Sequence, residues 1–256
     1  MDVPRRVAAD AALLYCCNPR RSPLPQALVE MRDVRSALES SGWTVFELRG
    51  GDATELCAAL AQHRPRVLHF IGHADAQHRE SKERTLALTD RAGRVVTVAP
   101  RIIADLLAAH DIDLCFLNGC RSADLARAIA DRGIPSIGWE TDALDLAAAI
   151  FAPAVYAKLR APRSIRGGCS LEVEEMRRSF EHGLRTVVDT IAERRGGVSR
   201  SSSAAVASGA VRLQFDSAAD PLKAFAAARG VECATDQGES RRVVAGVPLL
   251  LLPPDW

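Results

Sequence analysis

The chain has 256 residues, enough to bury a full hydrophobic core, and its charges sum to a formal +1 at pH 7. This balance argues against a dedicated nucleic-acid-binding protein, which would carry a basic excess on one face. The chain has no apolar run of the roughly 20 residues that cross a bilayer, and its seven cysteines fit neither a disulfide framework nor a zinc finger. We therefore expect a reduced, cytoplasmic protein without nucleic-acid or membrane partners.

The first part of the chain alternates strand and helix patterns. Ala11–Cys17 is an apolar run that ends at Asn18-Pro19, and because Asp10 interrupts the apolar segment it predicts a first strand instead of a signal peptide. Apolar residues then recur at helical spacing, Trp43–Leu48 predicts a second strand, and Asp52 can cap a second helix. This alternation is typical of βαβ units.

Two further apolar runs end in residues that carry chemistry. Val67–Ala74, VLHFIGHA, contains His73, and Leu114–Ser122, LCFLNGCRS, contains Cys120. Both runs are typical of buried parallel strands, whose carboxyl ends meet at one edge of an open sheet, so we expect His73 and Cys120 to lie close together. A neighbouring imidazolium lowers the pKa of a thiol and makes the thiolate available as a nucleophile. The pair therefore predicts a cysteine protease.

A hairpin and a helix are predicted between these runs, and a further strand after them. Thr85–Asp90 and Val95–Val98 predict a β-hairpin that projects from the edge of the sheet. Pro100 suits the first turn of a helix, and Ile134–Trp139 predicts a strand. The buried stripe of the helix is predicted to be Ile102, Ile103, Leu106 and Leu107. The whole pattern indicates an α/β fold with a mostly parallel central sheet flanked by helices.

The last third of the chain has a weaker pattern. A helical stripe covers Met176–Ile191, Val211–Phe215 predicts a strand, and Pro221–Arg229 predicts a helix. Arg241–Leu252 predicts the final strand. Because Pro248 cannot donate to a strand ladder, this segment is an edge strand or two short strands.

Five segments of the chain carry a resemblance to a known family. They are HFIGHA and LNGCRS, Asn18-Pro19, IGWETDALDLAAAIFA at 137–152, and VAGVPLLLLP near the end. In these the chain resembles the caspase-like CHAT proteases of clan CD, which are bacterial relatives of caspases and separases. The resemblance covers the whole chain, more weakly over 160–240, and implies one domain over 1–256 with a three-layer caspase-like fold.

The resemblance also implies an activity and its residues. Such proteins often serve bacterial defence or regulated cell death by cutting a partner protein, which implies a protein substrate and a regulatory or sensor partner. It implies Cys120 as the nucleophile, His73 as its partner, and the backbone N–H groups of Cys120 and Ala74 as the oxyanion hole. Relatives usually have Gly where Ala74 stands, and Ala allows a narrower range of φ. Gly119 is expected to let the chain turn sharply before the nucleophile.

Acidic residues after the strand that ends at Trp139 suggest the substrate preference. In separases, a similar segment carries the acid that binds arginine, and here it contains Glu140, Asp142 and Asp145. A carboxylate selects a basic side chain by charge-assisted pairing, so we expect cleavage after Arg or Lys, with Asp142 or Asp145 as the determinant. Alternatively, Asp142 only caps the helix that begins at Ala143, and Asp145 lies in its first turn, where the helix dipole favours an acid.

A basic, Gly/Ser-rich segment predicts a flexible loop over 194–205. Caspases mature by cutting a linker inside the domain, and this loop lies in a comparable place. Arg194, Arg195 and Arg200 are therefore candidate sites of self-processing. The alternative is an exposed loop without a regulatory role.

Other functions remain open. His69 and His73 share a strand face, but strand geometry separates them by roughly 13 Å, which is too far for both to ligate one metal ion. No metal or cofactor is therefore expected. His69 is predicted to be a core histidine with a hydrogen-bond partner. A catalytically silent caspase-like module that only binds a partner is one alternative. A nucleotide- or signal-binding domain is a weaker one, because the sequence has neither GxGxxG nor GxxxxGK[ST].

Overall fold

The computed structural model describes residues 10–143, 145–162, 171–199, 211–213, 231–234, 240–243 and 248–254. The strands are β1 Ala11–Cys17, β2 Thr44–Arg49, β3 Val67–Gly72, β4 Ala76–Gln77, β5 Arg84–Thr85, β6 Leu88–Thr89, β7 Val95–Val96, β8 Leu114–Asn118, β9 Ser136–Trp139, β10 Val211–Leu213, β11 Val231–Ala234, β12 Ser240–Val243 and β13 Pro248–Leu251. The helices are α1 Ala27–Ser40, α2 Ala53–His63, α3 Pro100–Ala108, α4 Ala123–Ala130, α5 Asp145–Lys158 and α6 Val173–Ser199.

The central sheet has six described strands in the order β13-β9-β8-β3-β1-β2. Neighbours within it are parallel, except that β13 pairs antiparallel with β9 at one edge. Every residue of β1, β3 and β8 is buried, as expected for strands covered by helices on both faces. The mostly parallel α/β sheet predicted from the sequence is confirmed.

Helices cover both faces of this sheet and give the molecule three layers. One apolar core lies between the sheet and α1, α5 and α6, and it includes Val34, Phe151 and Phe180. The second lies between the sheet and α2, α3 and α4, and it includes Leu60 and Leu107. Because successive side chains of a strand point to opposite faces, each inner strand contributes to both cores.

The helix starts follow the sequence signals. Asp52 caps α2 by accepting from the N–H groups of Thr54 and Glu55, while the Glu55 carboxylate accepts from the Asp52 N–H, so the capping prediction is confirmed. Pro100 opens α3 as predicted, but the predicted stripe was partly wrong because Ile102 is 49% exposed and Leu106 only partly buried. The buried face of α3 is formed by Pro100, Ile103, Ala104 and Leu107.

Two short hairpins follow β3 at the edge of the sheet where this strand ends. The predicted hairpin is present as the antiparallel pair of β6 and β7, which is shorter than expected. A second antiparallel pair, β4 with β5, was not predicted. Strands of two residues are too short to show an alternating apolar pattern, so no local pattern predicts this pair.

The C-terminal part differs from its prediction in the extent of α6 and in strand β11, which was not predicted. Helix α6 continues to Ser199, so the backbone over 194–199 is helical where a flexible loop was predicted, and 200–205 lies outside the described residues. The predicted helix over Pro221–Arg229 also lies outside them. The predicted final strand is two short strands, β12 and β13, with Pro248 at the start of an edge strand. Within the described ranges, no helix has both the length and the apolar character that a bilayer crossing requires.

Candidate active site

The carboxyl ends of β3 and β8 bring the two predicted catalytic residues to one place. The strands are paired in parallel register up to Ile71 and Asn118. His73 and Cys120 follow these partners by two residues each, beyond the last paired residues, and both line one cleft. Ile71 lines this cleft too and belongs with Phe116 to the core beneath α1 and α5, so the cleft opens on this face of the sheet.

Glycine permits the close approach of the two strand ends. A Cβ atom on Gly119 would collide with the carbonyl oxygen of Gly72 and would lie 2.8 Å from the Cβ of Ala74. The chain bends at Gly119, as predicted, and the positive φ of the turn that follows belongs to Arg121, at +53°. Gly119 is also required for contact between the strand ends.

His73 and Cys120 line one open cleft. Both residues are half-buried, and the empty volume over the cleft is about 510 Å³ when the open solvent at its mouth is included. Its remaining walls come from the strand ends, from α1 with the loop before it, and from the start of α5. The cleft is thus at the edge of the sheet where ligands bind in parallel α/β folds.

The imidazole of His73 is oriented by the loop between β1 and α1. Its Nε2 lies 2.9 Å from the backbone carbonyl oxygen of Ser22 and 3.3 Å from the Ser22 Oγ. Because a carbonyl can only accept, Nε2 carries the proton and donates it to this oxygen. In the neutral ring, Nδ1 is therefore the nitrogen that can accept a proton.

The segment after Cys120 is fixed against β9. The thiol of Cys120 donates to the carbonyl oxygen of Ala143 at 3.9 Å. Ser122 is buried, donates its hydroxyl to the Leu117 carbonyl at 2.9 Å and accepts from the Trp139 N–H at 3.0 Å. The loop that carries Cys120 is consequently held by hydrogen bonds on both of its sides.

A buried polar network lies beneath the cleft. His69 is fully buried, as predicted for a core histidine, and its Nδ1 lies 3.0 Å from the Tyr156 hydroxyl. Burial raises the pKa of Tyr156 well above its usual value, so the hydroxyl keeps its proton and donates to Nδ1. The Nε2 of His69 donates to Oε1 of Glu30 at 3.2 Å, and the Asn118 amide donates to the same oxygen at 2.6 Å. The other end of that amide accepts from the Trp139 indole at 2.7 Å.

Glu30 is a residue of the cleft that the sequence prediction missed. Its exposed fraction is only 7%. The signal for it was its position on α1, because Glu30 stands three residues after Ala27 and four before Val34, both on the buried face. An acid within an apolar helical stripe is a candidate functional residue for that reason.

Of the acidic residues predicted to select the substrate, Glu140 and Asp142 do not line the described cleft walls. Asp142 instead forms a two-pronged ion pair with Arg121, at 2.7 and 2.9 Å, and its side chain is 63% exposed. Glu140 is exposed, and the side chain of Asp145 lies outside the described residues. Helix α5 begins at Asp145, so Asp142 does not cap a helix that begins at Ala143 either.

The remaining predicted site residues are positioned as follows. Ala74 is buried, and its nitrogen lies 3.1 Å from the place of a Cβ on Gly119. It is not among the described non-glycine residues with positive φ, so alanine fits this backbone without strain. Arg194 and Arg195 lie on the backbone of α6, whereas their side chains and all of Arg200 are outside the described part.

A metal centre is not apparent in the described part of the chain, where no three His, Cys, Asp or Glu side chains are grouped to hold an ion.

Comparison with known families gives one match. The model of the CHAT domain matches residues 3–170, about two thirds of the chain, including β1 to β9 and both strand ends of the cleft. No curated protein matches the chain.

Proposed function

The chain belongs to the CHAT domain family, whose domain is caspase-like and protease-related, and on this basis we propose that it is a cysteine endopeptidase with Cys120 as nucleophile and His73 as acid and base. One observation carries the proposal. An imidazole and a thiol leave adjacent parallel strands on the same face and line the same open cleft. This arrangement supplies the two groups that thiol-dependent acyl transfer needs.

In the proposed first stage, the Cys120 thiol gives its proton to Nδ1 of His73, and the sulfur attacks the carbonyl carbon of a peptide bond. The carbonyl electron pair moves to oxygen, and the tetrahedral intermediate then collapses and breaks the C–N bond. The leaving amine takes the proton from His73, and a thioester remains on Cys120. Because Nε2 donates to Ser22 throughout, the ring keeps one orientation.

In the second stage, water gives a proton to His73 and attacks the thioester carbon. The C–S bond breaks, the carboxylic acid product leaves, and His73 returns the proton to the sulfur of Cys120. Backbone N–H groups of Cys120 and Ala74 would stabilise the oxyanion in both stages. Preorganised donors of this kind are needed because charge develops on the substrate oxygen in both transition states.

The substrate in this proposal is a partner protein, cut after a basic residue within a bacterial defence or cell-death system. The Cys120 thiol already donates a hydrogen bond to the Ala143 carbonyl oxygen, so a substrate must displace that contact before attack. A regulatory or sensor protein that moves the segment around Ala143 would provide such control. Self-processing at Arg194, Arg195 or Arg200 would be a second form of control.

The test is a cleavage assay with a diverse library of peptides and mass-spectrometric readout. The protein should cut a subset of peptides, and Cys120→Ala should cut none. His73→Ala should slow cleavage by about 100-fold or more, because general acid–base catalysis supplies an effect of that order. Absence of cleavage together with binding of a partner protein would support the silent-module alternative.

A further inference from the structure

The acidic residue Glu30 lies at the cleft together with His73 and Cys120. It occupies the first turn of α1, and its side chain is only 9% exposed. A carboxylate that is nine-tenths buried beside a reactive thiol is uncommon, because burial of a charge is costly unless the charge is paired. The hydrogen bonds and charge partners of the Glu30 carboxylate therefore indicate which ligand it can bind.

One oxygen of Glu30 carries both of its hydrogen bonds. The donors are Nδ2 of Asn118 and Nε2 of His69, and both reach Oε1. In the described part of the chain no group donates to Oε2. Within the described residues the buried polar side-chain atom without a partner is Ser179 Oγ, and Oε2 of Glu30 is not such an atom. Since Glu30 lines the cleft, Oε2 is available to a ligand in it.

The charge of Glu30 also lacks a full counter-charge. Within the described residues its ion-pair partner is His69, and no lysine or arginine pairs with it. His69 satisfies its contacts as a neutral ring, since it donates from Nε2 to Glu30 and accepts at Nδ1 from Tyr156. A cation placed at Oε2 would complete the pairing of a buried carboxylate.

We propose that Glu30 selects a basic side chain, guanidinium or ammonium, at the substrate residue whose carbonyl Cys120 attacks. This inference rests on the proposed function and names its substrate class. The aliphatic stem of the basic residue would lie against Ala27, Ile71 and Ala148, which line the same cleft. Glu30 takes the role that the sequence suggested for Asp142 or Asp145, and the carboxylate of Asp142 is engaged by Arg121.

The first test compares kcat/KM for matched peptides with Arg, Lys or the uncharged norleucine before the cleaved bond. Glu30→Gln is the variant, because its amide oxygen can still accept from Asn118 and His69. It should lose on the order of 10- to 100-fold for the Arg and Lys peptides, and less than about threefold for norleucine. Unchanged preference, or equal loss for all three peptides, would overturn the proposal.

Glu39→Gln is the matched control on the same helix. Glu39 pairs with Arg35 at the surface, where both side chains are about half exposed, so its neutralisation removes the same charge far from the cleft floor. The order of preference among the three peptides should be the same in this variant as in the wild type. A loss of basic preference in Glu39→Gln would mean that general charge, and not Glu30, determines it.

The second test does not require cleavage. The rate of Cys120 alkylation by iodoacetamide is measured with butylguanidinium or with its uncharged isostere butylurea. Butylguanidinium should slow the reaction in the wild type and not in Glu30→Gln, whereas butylurea should slow neither. Equal protection by the two probes, or none by either in the wild type, overturns the proposal even if the variant does not fold.

The two tests separate the two claims. Protection by butylguanidinium without cleavage of any peptide would retain the cation site of Glu30 and reject the proteolytic function. Cleavage of peptides without dependence on Glu30 would retain the protease and reject this assignment.

Discussion

The Nε2 of His73 donates a hydrogen bond of 2.9 Å to the backbone carbonyl oxygen of Ser22. A main-chain oxygen thus takes the orienting place that a carboxylate occupies in many catalytic triads. The loop between β1 and α1 presents this oxygen, so the first strand contributes to the site without a reactive side chain of its own. Sequence motifs cannot show such a contribution, because any residue type has a carbonyl.

The first prediction follows from that bond. Ser22→Ala keeps the carbonyl and removes only the longer contact through Oγ, so kcat/KM should fall no more than a few fold. Ser22→Pro also removes the Ser22 N–H that donates to the Pro19 carbonyl at 3.2 Å, which should displace the loop and reduce kcat/KM by about 10-fold or more. Peptide cleavage assays on both variants measure this. A loss in Ser22→Ala as large as that in Ser22→Pro would show that the side chain is the orienting group.

The second prediction concerns the glycine contact between the strand ends. Gly119→Ala must push Gly72 and Ala74 away, so it should lower the free energy of unfolding by about 1 to 3 kcal/mol and separate His73 from Cys120. Urea denaturation and peptide cleavage measure the two effects. Gly133→Ala is the control, because a Cβ there meets nothing within 4 Å and only the positive φ opposes it. Full activity in Gly119→Ala would disprove the need for close contact.

The third prediction distinguishes the cysteines by burial. Burial raises the pKa of Cys115 and Cys17, and it raises that of Cys16 to about 12. A raised thiol pKa leaves less thiolate at any lower pH, so these three should resist alkylation near pH 8 in the native protein. The half-buried Cys120 and the exposed Cys57 should react. Peptide mapping after iodoacetamide treatment measures each site, with urea-unfolded protein as the control in which all react. Labelling of native Cys115 as fast as Cys120 would contradict the described burial.

The fourth prediction concerns the ion pair of Arg121 with Asp142. Both side chains are more than 40% exposed, so Asp142→Asn should change the free energy of unfolding by less than about 1 kcal/mol. Cleavage should keep its preference for a basic residue, because Glu30 and not Asp142 is proposed to select it. Peptide kinetics of Asp142→Asn beside Glu30→Gln decide the point. Loss of the preference in Asp142→Asn would return the specificity to the segment that follows β9.

Much of the fold could be predicted because its strongest patterns are local. Strands β1, β3 and β8 are buried on both faces, which makes them continuous apolar runs, and the Asp52 cap depends on residues within one turn. The site was only partly predictable for the opposite reason. Glu30 accepts a hydrogen bond from Asn118, which is distant in sequence, and Asp142 pairs with Arg121, whose positive φ no local pattern predicts.

The extent of α6 shows a similar limit. Two glycines and several serines predicted a loop from residue 194, whereas the helix continues to Ser199. Local propensity is a weak guide where a long helix already provides the preceding turns, because elongation costs less than initiation. The short β4 and β5 pair was missed because its strands hold too few residues for a pattern.

The most direct measurement of the central claim is covalent labelling by an electrophilic peptide ketone, followed by intact mass and peptide mapping. The account predicts one adduct per molecule on Cys120, none in Cys120→Ala, and a much slower reaction in His73→Ala because the thiol then lacks its base. Absence of an adduct on Cys120 in the wild type, or an equal rate in His73→Ala, would contradict the pairing of these two residues as a catalytic dyad.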